Sequence, residues 1–232
     1  MDAAGMSDWK TFGTAGELDR ALAVHIAEGL RRDIDSRGSA SLAVSGGSTP
    51  KHMFELLSAC ELDWSRVWIT LVDERWVSTS SEDSNERLLR ENLLQHSAAA
   101  AQFVGLKSGH EDARDAIAEI TGRLKAIPRP LTTVVLGMGG DGHTASWFPM
   151  AANLRELLDA GNTNLVAASD PVTAAHQRMT LTLATVLDCL EIAVHITGEE
   201  KRSVLENAGR EGYPIAAVLE QHITPATIWW AP

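Results

Sequence analysis

The amino-acid sequence predicts an α/β protein in which helices cover both faces of a mainly parallel, doubly wound sheet. Three observations indicate this class: short apolar runs of strand length recur along the chain, amphipathic helical segments separate them, and polar or glycine-rich segments follow four of them. Strands buried on both faces have nearly continuous apolar runs, as these do. The 232 residues contain no repeat or linker, so we expect a single α/β domain over residues 1–232.

Five apolar runs have the length and composition of buried strands. They cover residues 41–44, 67–72, 132–136, 192–196 and 227–230. Glycines end the first run at Gly46 and the third at Gly137. Because helical segments lie between them, the strands are predicted to run parallel.

The segments between these strands carry helical signals. Apolar residues recur every fourth residue over 17–32, which predicts an amphipathic helix that ends before Gly38. Pro50 begins the next helix, where its missing N–H costs nothing. The predicted helices cover residues 17–32, 50–59, 84–95, 113–124 and a segment that begins at Glu199.

Composition and charge exclude several classes of function. The chain has 20 Lys and Arg against 31 Asp and Glu, a net charge of −11, which disfavours nucleic-acid binding and attachment to an anionic membrane. Two cysteines, Cys60 and Cys189, make neither a disulfide framework nor a zinc site. No apolar run approaches the roughly 18 residues of a membrane span. We expect a cytoplasmic protein that binds any anionic ligand through a local cluster of cations.

Polar and glycine-rich segments follow four of the predicted strands, and ligands of open α/β sheets bind at the carboxyl ends of the strands. The segments are SGGSTP at 45–50, Asp-Glu-Arg at 73–75, GMGGDGHT at 137–144 and GEEK at 198–201. In the first segment, glycines allow close approach of an anion, and hydroxyls and helical N–H groups can donate to it. The missing Walker lysine argues against a nucleoside triphosphate. A tight turn capped by Ser48 or Thr49 is the alternative.

The third segment is more specific. Residues 137–142 match G-x-G-x-x-G, but Pro149 follows too soon for the long helix of a dinucleotide site. His143, in a glycine loop beside Asp141, is a candidate general base. We expect the other histidines to lie on helix surfaces or to serve packing: His25, His52, His96, His110, His176, His195 and His222. None of their pairs has metal-ligand spacing beside a carboxylate, so we expect no metal site.

Arg75, Arg178 and Lys201 are the candidate cations, although an isolated charge is more often a solvated surface residue. Lys201 lies in the first turn of a predicted helix, where a cation is unfavourable. Its position therefore favours an anionic partner.

Taken together, these motifs resemble those of 6-phosphogluconolactonases. SGGSTP, VDERWV, DSNERLLRENLL, LGMGGDGHTASWFP, QRMTLTLATVL and TGEEK occur here in that family's order, over about residues 40–205. The resemblance implies a three-layer α/β/α sandwich with a Rossmann-like sheet, a fold group shared with glucosamine-6-phosphate deaminases and ribose-5-phosphate isomerases. It also implies hydrolysis of 6-phospho-D-glucono-1,5-lactone, the second step of the oxidative pentose phosphate pathway, without a cofactor.

Two alternatives remain. The deaminases have a glutamate five residues beyond the motif histidine and a tyrosine after Asp-Glu, whereas this chain has Phe148 and Arg75. We expect that a phenylalanine neither orients the histidine nor relays a proton, which favours the lactonase. A non-enzymatic phosphosugar sensor would be expected to lose His143 or Asp141 and to carry a fused module, and this chain does neither.

The resemblance and the chemistry of lactones together suggest roles for the candidate residues. Neutral His143 would deprotonate the water that attacks C1, and Asp141 would orient the imidazole or stabilise the glycine turn. The residues expected at the phosphate are Ser45, Gly46, Gly47, Ser48, Thr49, Arg178 and Lys201. Asp73 and Arg75 are expected to line the sugar end, and Asn85 is expected to fix their strand-end loop. The expected partner is a small phosphosugar lactone, and the expected state is a monomer, with a weak dimer as the alternative.

Overall fold

The structure is a computed structural model and describes residues 8–232. Ten strands are present in this range: β1 Asp8–Thr11, β2 Ala40–Val44, β3 Val67–Leu71, β4 Asp73–Arg75, β5 Gln102–Val104, β6 Leu131–Leu136, β7 Val166–Ser169, β8 Arg178–Leu181, β9 Cys189–Thr197 and β10 Ala226–Ala231. Seven of them form one parallel sheet in the order β1-β10-β9-β6-β2-β3-β5. All five predicted strands lie in this sheet, which confirms the predicted class.

A second, antiparallel sheet of order β4-β8-β7 was not predicted. Its strands have three or four residues and mixed polarity, below the length at which an apolar pattern is informative. It joins the carboxyl edge of the large sheet, because the N–H of Leu181 donates to the carbonyl of Val72, directly after β3. Arg75 lies opposite Arg178 in this sheet.

The helices of the described residues are α1 Ala15–Arg37, α2 Lys51–Ser58, α3 Asn85–Asn92, α4 Ile117–Leu124, α5 Leu154–Leu157, α6 Leu183–Leu187, α7 Glu199–Glu206, α8 Ala208–Glu211 and α9 Ala216–Leu219. A capping box of Thr14 and Glu17 begins α1, and left-handed Gly38 ends it. The prediction of a single helix over 113–124 is wrong for its first turn, because Ala113–Ala116 forms a 3₁₀ turn before α4. No helix of residues 8–232 is long and apolar enough to cross a membrane.

Both faces of the parallel sheet are covered. The side chains of β9, which point alternately to the two faces, indicate this. Glu191 and His195 point to α1, since they contact His25 and Asp19 of that helix. Ile192, Val194 and Ile196 therefore point to the opposite face. All three are buried as well, so the sheet is the middle layer of an α/β/α sandwich.

The three central strands end together at one edge. Val44 of β2 is level with Val135 of β6, and Val135 is level with Ala193 of β9. The segments that follow these strands therefore meet at the same edge of the sheet.

Candidate active site

A cavity of about 300 Å³ opens at this carboxyl edge. Most of the predicted site residues line it: Ser45, Gly46, Gly47, Ser48, Thr49, Asp73, Arg75, Asn85, His143 and Lys201. Asp141 lies behind His143, and Arg178 lies behind Arg75; neither lines the cavity. The fold thus brings four separate segments of the chain to one pocket.

The loop after β6 holds His143 by its side chain and its backbone. Asp141 Oδ1 lies 2.5 Å from His143 Nδ1 and also accepts the N–H of His143. The N–H of Gly139 donates to the carbonyl of His143 and closes the turn. A Cβ at Gly139 would overlap the imidazole, so a glycine is required there. With Nδ1–H given to the carboxylate, Nε2 is the nitrogen that can accept a proton.

The pKa of Asp141 reflects two opposing effects. Burial by itself would raise this pKa, but the hydrogen bonds and the charge of His143 outweigh burial and hold it below its usual range. Asp141 is therefore an anion at neutral pH, and a carboxylate in this position can stabilise a positive charge on the neighbouring imidazole.

Phe148 packs against the face of the His143 ring. The centroids of the two rings are 4.3 Å apart, with 29° between the planes, and Phe148 is only 4% exposed. The expectation that a phenylalanine here cannot orient the histidine is wrong, because a buried ring restricts the imidazole by packing rather than by a hydrogen bond. The guanidinium carbon of Arg178, a residue of β8 in the second sheet, lies 5.8 Å from the Phe148 centroid.

Arg178 is buried, and its Nε and Nη1 have no hydrogen-bond partner among residues 8–232. Burial lowers the pKa of Arg178, and the negative charge of Asp73 opposes that effect. This cation therefore lies next to Phe148 and opposite Arg75, although it is not among the residues that line the cavity.

The sugar-end candidates are held by a hydrogen-bond network of which the sequence predicted only the part played by Asn85. Asn85 Nδ2 donates to the carbonyl of Asp73 at 2.9 Å, and Ser146 Oγ donates to Asp73 Oδ2 at 2.5 Å. A Cβ at Gly46 would overlap the amide of Asn85, so this glycine lets the first loop touch α3. Ser146 thus joins the His143 loop to the end of β4.

Glu74 is the anchor of this network and is 1% exposed. Its Oε1 accepts the N–H groups of Arg75 and Asn85, and its Oε2 accepts the N–H of Glu86 and the hydroxyl of Ser84. Burial raises the pKa of Glu74, while these hydrogen bonds act in the opposite direction. A carboxylate thus fixes the first turn of α3 to β4, and the position of Asn85 follows from it.

Two cations reach the cavity. Lys201, in the first turn of α7, donates from Nζ to the carbonyl of Met138 at 2.8 Å, and Arg75 donates to the carbonyl of Asp83 at 2.6 Å. Neither is paired with a carboxylate in the part of the chain that the structure describes. Their positive charge therefore remains available to an anionic ligand.

His195 is a site residue that the sequence analysis missed. Its apolar neighbours in 192–196 suggested a packing role, but His195 lines the cavity from β9. The available signal was a single ionisable residue within an otherwise apolar strand. Over residues 8–232, no group of three or more His, Cys, Asp or Glu side chains is placed to hold a metal ion.

Comparison with known proteins adds to this geometry. The family model of glucosamine-6-phosphate isomerases/6-phosphogluconolactonase matches residues 13–229. The chain is 45% identical over 227 residues to a 6-phosphogluconolactonase of Mesorhizobium japonicum, covering 97% of this chain and 95% of the relative. It is 44% identical over 225 residues to that of Rhizobium meliloti, covering 95% and 97%. A crystal structure of a 6-phosphogluconolactonase from Shewanella baltica matches with a TM-score of 0.95 at 44% identity, over 98% of each chain.

Proposed function

This chain belongs to the family of glucosamine-6-phosphate isomerases and 6-phosphogluconolactonases, and from that premise we propose that it hydrolyses 6-phospho-D-glucono-1,5-lactone to 6-phosphogluconate. Relatives that are 44–45% identical to this chain are named as lactonases, which favours the lactone over an amino sugar. Phe148, in place of the deaminases' glutamate, supports the same choice. The protein is thus a carboxylic ester hydrolase of the pentose phosphate pathway.

The observation that carries the mechanism is the pairing of His143 Nδ1 with Asp141 at the wall of the cavity. We infer that His143 Nε2 takes a proton from a water molecule as the water oxygen attacks C1. The tetrahedral oxyanion then collapses, the C1–O5 bond breaks, and O5 receives the proton from His143. The carboxylic acid that forms ionises in solvent. General-base catalysis of this kind contributes about 10²–10⁴-fold.

The 6-phosphate is proposed to bind the amides of the loop at 45–50 together with Lys201. Glycines in this loop admit a close anion, and the following helix α2 directs its free N–H groups toward it. Asp73 and Arg75 would contact the sugar, with Asn85 holding their loop. Arg178 lies opposite Arg75 and beside Phe148, and we propose that it adds positive charge behind the phosphate site.

A monomer is proposed as the functional unit, since one chain supplies every group that this mechanism uses. The cytoplasm is proposed as its compartment.

The test offers two substrates. Freshly generated 6-phosphogluconolactone should release acid faster than in a matched sample without enzyme, a control that spontaneous opening of the lactone makes essential. Glucosamine 6-phosphate should yield no ammonia. Ammonia release with no acceleration of lactone opening would replace the proposal with the deaminase, and binding of both sugars without turnover would indicate a sensor.

A further inference from the structure

His195 combines two properties that rarely occur together. It is 2% exposed, in the middle of the sheet, yet it lines the cavity. Both of its ring nitrogens lack a hydrogen-bond partner among the described residues. A buried polar group without a partner costs stability, so such a group calls for an explanation, and an absent ligand is one.

Asp19 of α1 lies directly behind this ring. Its Oδ1 is 3.1 Å from His195 Nε2, a close approach without the alignment of a hydrogen bond, and Oδ1 has no other partner in residues 8–232. Its Oδ2 lies 3.1 Å from Nδ1 of His52 in α2. The carboxylate of Asp19 thus lies between two histidines, with one close to each of its oxygens.

The strand register places His195 at the phosphate end of the cavity. Ala193 is level with Val135, which is level with Val44, so His195 is level with Gly46 two residues further along. Its side chain points to the face that carries α1. Helix α2 packs against α1 and begins directly after the loop at 45–50. His195 and the loop that is proposed to hold the phosphate are therefore at the same level along the strands, and both line the cavity.

From these contacts we propose that His195 is a substrate-binding histidine: a ring N–H of His195 donates to the substrate phosphate, and Asp19 fixes the orientation of the ring. The inference rests on the proposed function and adds a residue to its phosphate site. The charged or titratable groups that face the ring are Asp19 from α1, His52 beyond it from α2, and Lys201 from α7. Asp19 is a positioning residue.

His195→Phe and His195→Asn test the contact. Phenylalanine removes both nitrogens, and it should raise the KM for the phospholactone and the Kd for 6-phosphogluconate by roughly 10- to 100-fold. Asparagine keeps a donor near the Nδ1 position, so its effect should be smaller. The rate on unphosphorylated glucono-1,5-lactone should stay within about twofold for both variants.

His25→Phe is the matched control. His25 pairs with Glu191 at 2.9 Å between the same helix and the same strand, outside the cavity lining. It should leave both substrates unaffected. Asp19→Asn keeps the size of the side chain and removes its charge, and it should weaken 6-phosphogluconate binding by several-fold, with the lactone that lacks phosphate unaffected.

Equal losses on both lactones would overturn the proposal, because they would mean that His195 only maintains the fold. Unchanged affinity of His195→Phe for 6-phosphogluconate would overturn it as well. If the wild type hydrolyses no lactone, the proposed function fails. Calorimetric titration of wild type and His195→Asn with 6-phosphogluconate and inorganic phosphate then tests the histidine separately. Should His195→Phe not fold, His195→Asn and Asp19→Asn carry the same comparison.

Discussion

The imidazole of His143 stacks on the ring of Phe148, with 4.3 Å between the centroids. Asp141 holds the same imidazole from its Nδ1 edge. The ring is therefore fixed by one hydrogen bond and one aromatic contact, and its remaining nitrogen is the one that can act as a base. Preorganisation of this kind lowers the barrier, because the base need not be ordered as the reaction proceeds.

His143→Ala should lower kcat by about 10²–10⁴-fold and leave KM nearly unchanged, because it removes the base and no binding contact. Steady-state rates above the spontaneous background measure this. His176→Ala is the control, since His176 lies on the surface and pairs only with Asp83. A wild-type kcat in His143→Ala would remove this histidine as the base.

Phe148→Ala should lower kcat by about tenfold, because the imidazole loses the ring that restricts it while Asp141 still holds Nδ1. KM should change little. The exposed Met150, two residues away, supplies the control variant Met150→Ala. If Phe148→Ala instead raises KM alone, Phe148 serves the substrate and not the base.

Gly139→Ala should be nearly as damaging to kcat as loss of the base, because its Cβ would overlap the imidazole and displace it. The neighbouring Gly140→Ala should be tolerated, since a Cβ there meets its nearest atom, Glu200 Oε1, at 3.7 Å. Both variants should keep the wild-type melting temperature to within about 3 °C, which circular dichroism measures. Equal kcat in the two variants would contradict the steric argument.

Lys201→Ala should raise the KM for the phospholactone by roughly 10- to 100-fold, the cost of losing a charge-assisted hydrogen bond to phosphate. Its rate on glucono-1,5-lactone should be preserved. Arg202→Ala removes the next cation along α7, which pairs with Glu206 at the surface, and should change neither value. Similar losses on both lactones in Lys201→Ala would argue against a phosphate contact.

Cys189 should resist alkylation in the folded protein. Burial raises the pKa of its thiol to about 12, so at pH 8 only about 10⁻⁴ of it is thiolate. Mass spectrometry after iodoacetamide should find Cys189 modified only in denaturant. The pKa of the Cys189 thiol is higher in the folded than in the unfolded protein. The contribution of this thiol to the free energy of unfolding is therefore complete below the unfolded pKa and is lost as the pH rises toward 12. The stability of wild type relative to Cys189→Ala should therefore fall above about pH 9, and a constant difference would contradict this.

The fold class and most of the pocket could be predicted because their signals are local. Apolar runs, helical periodicity and loop glycines are read within about ten residues, and the parallel arrangement brings the loops after β2, β6 and β9 to one edge. The short strands β4, β7 and β8 were not predicted, because they have no distinctive apolar pattern and are stabilised by pairing with each other.

The sequence by itself determined the α/β class, the four polar or glycine-rich segments after the strands and the histidine that follows the glycine loop. Only the tertiary structure decided which side chains meet. Ser146 contacts Asp73 across 73 residues of chain, Arg178 lies opposite Arg75 and next to Phe148, and His195 contacts Asp19 on the first helix. These contacts depend on register and on which face of a strand points to which helix. A one-residue shift in register would reverse them, so no local pattern encodes them.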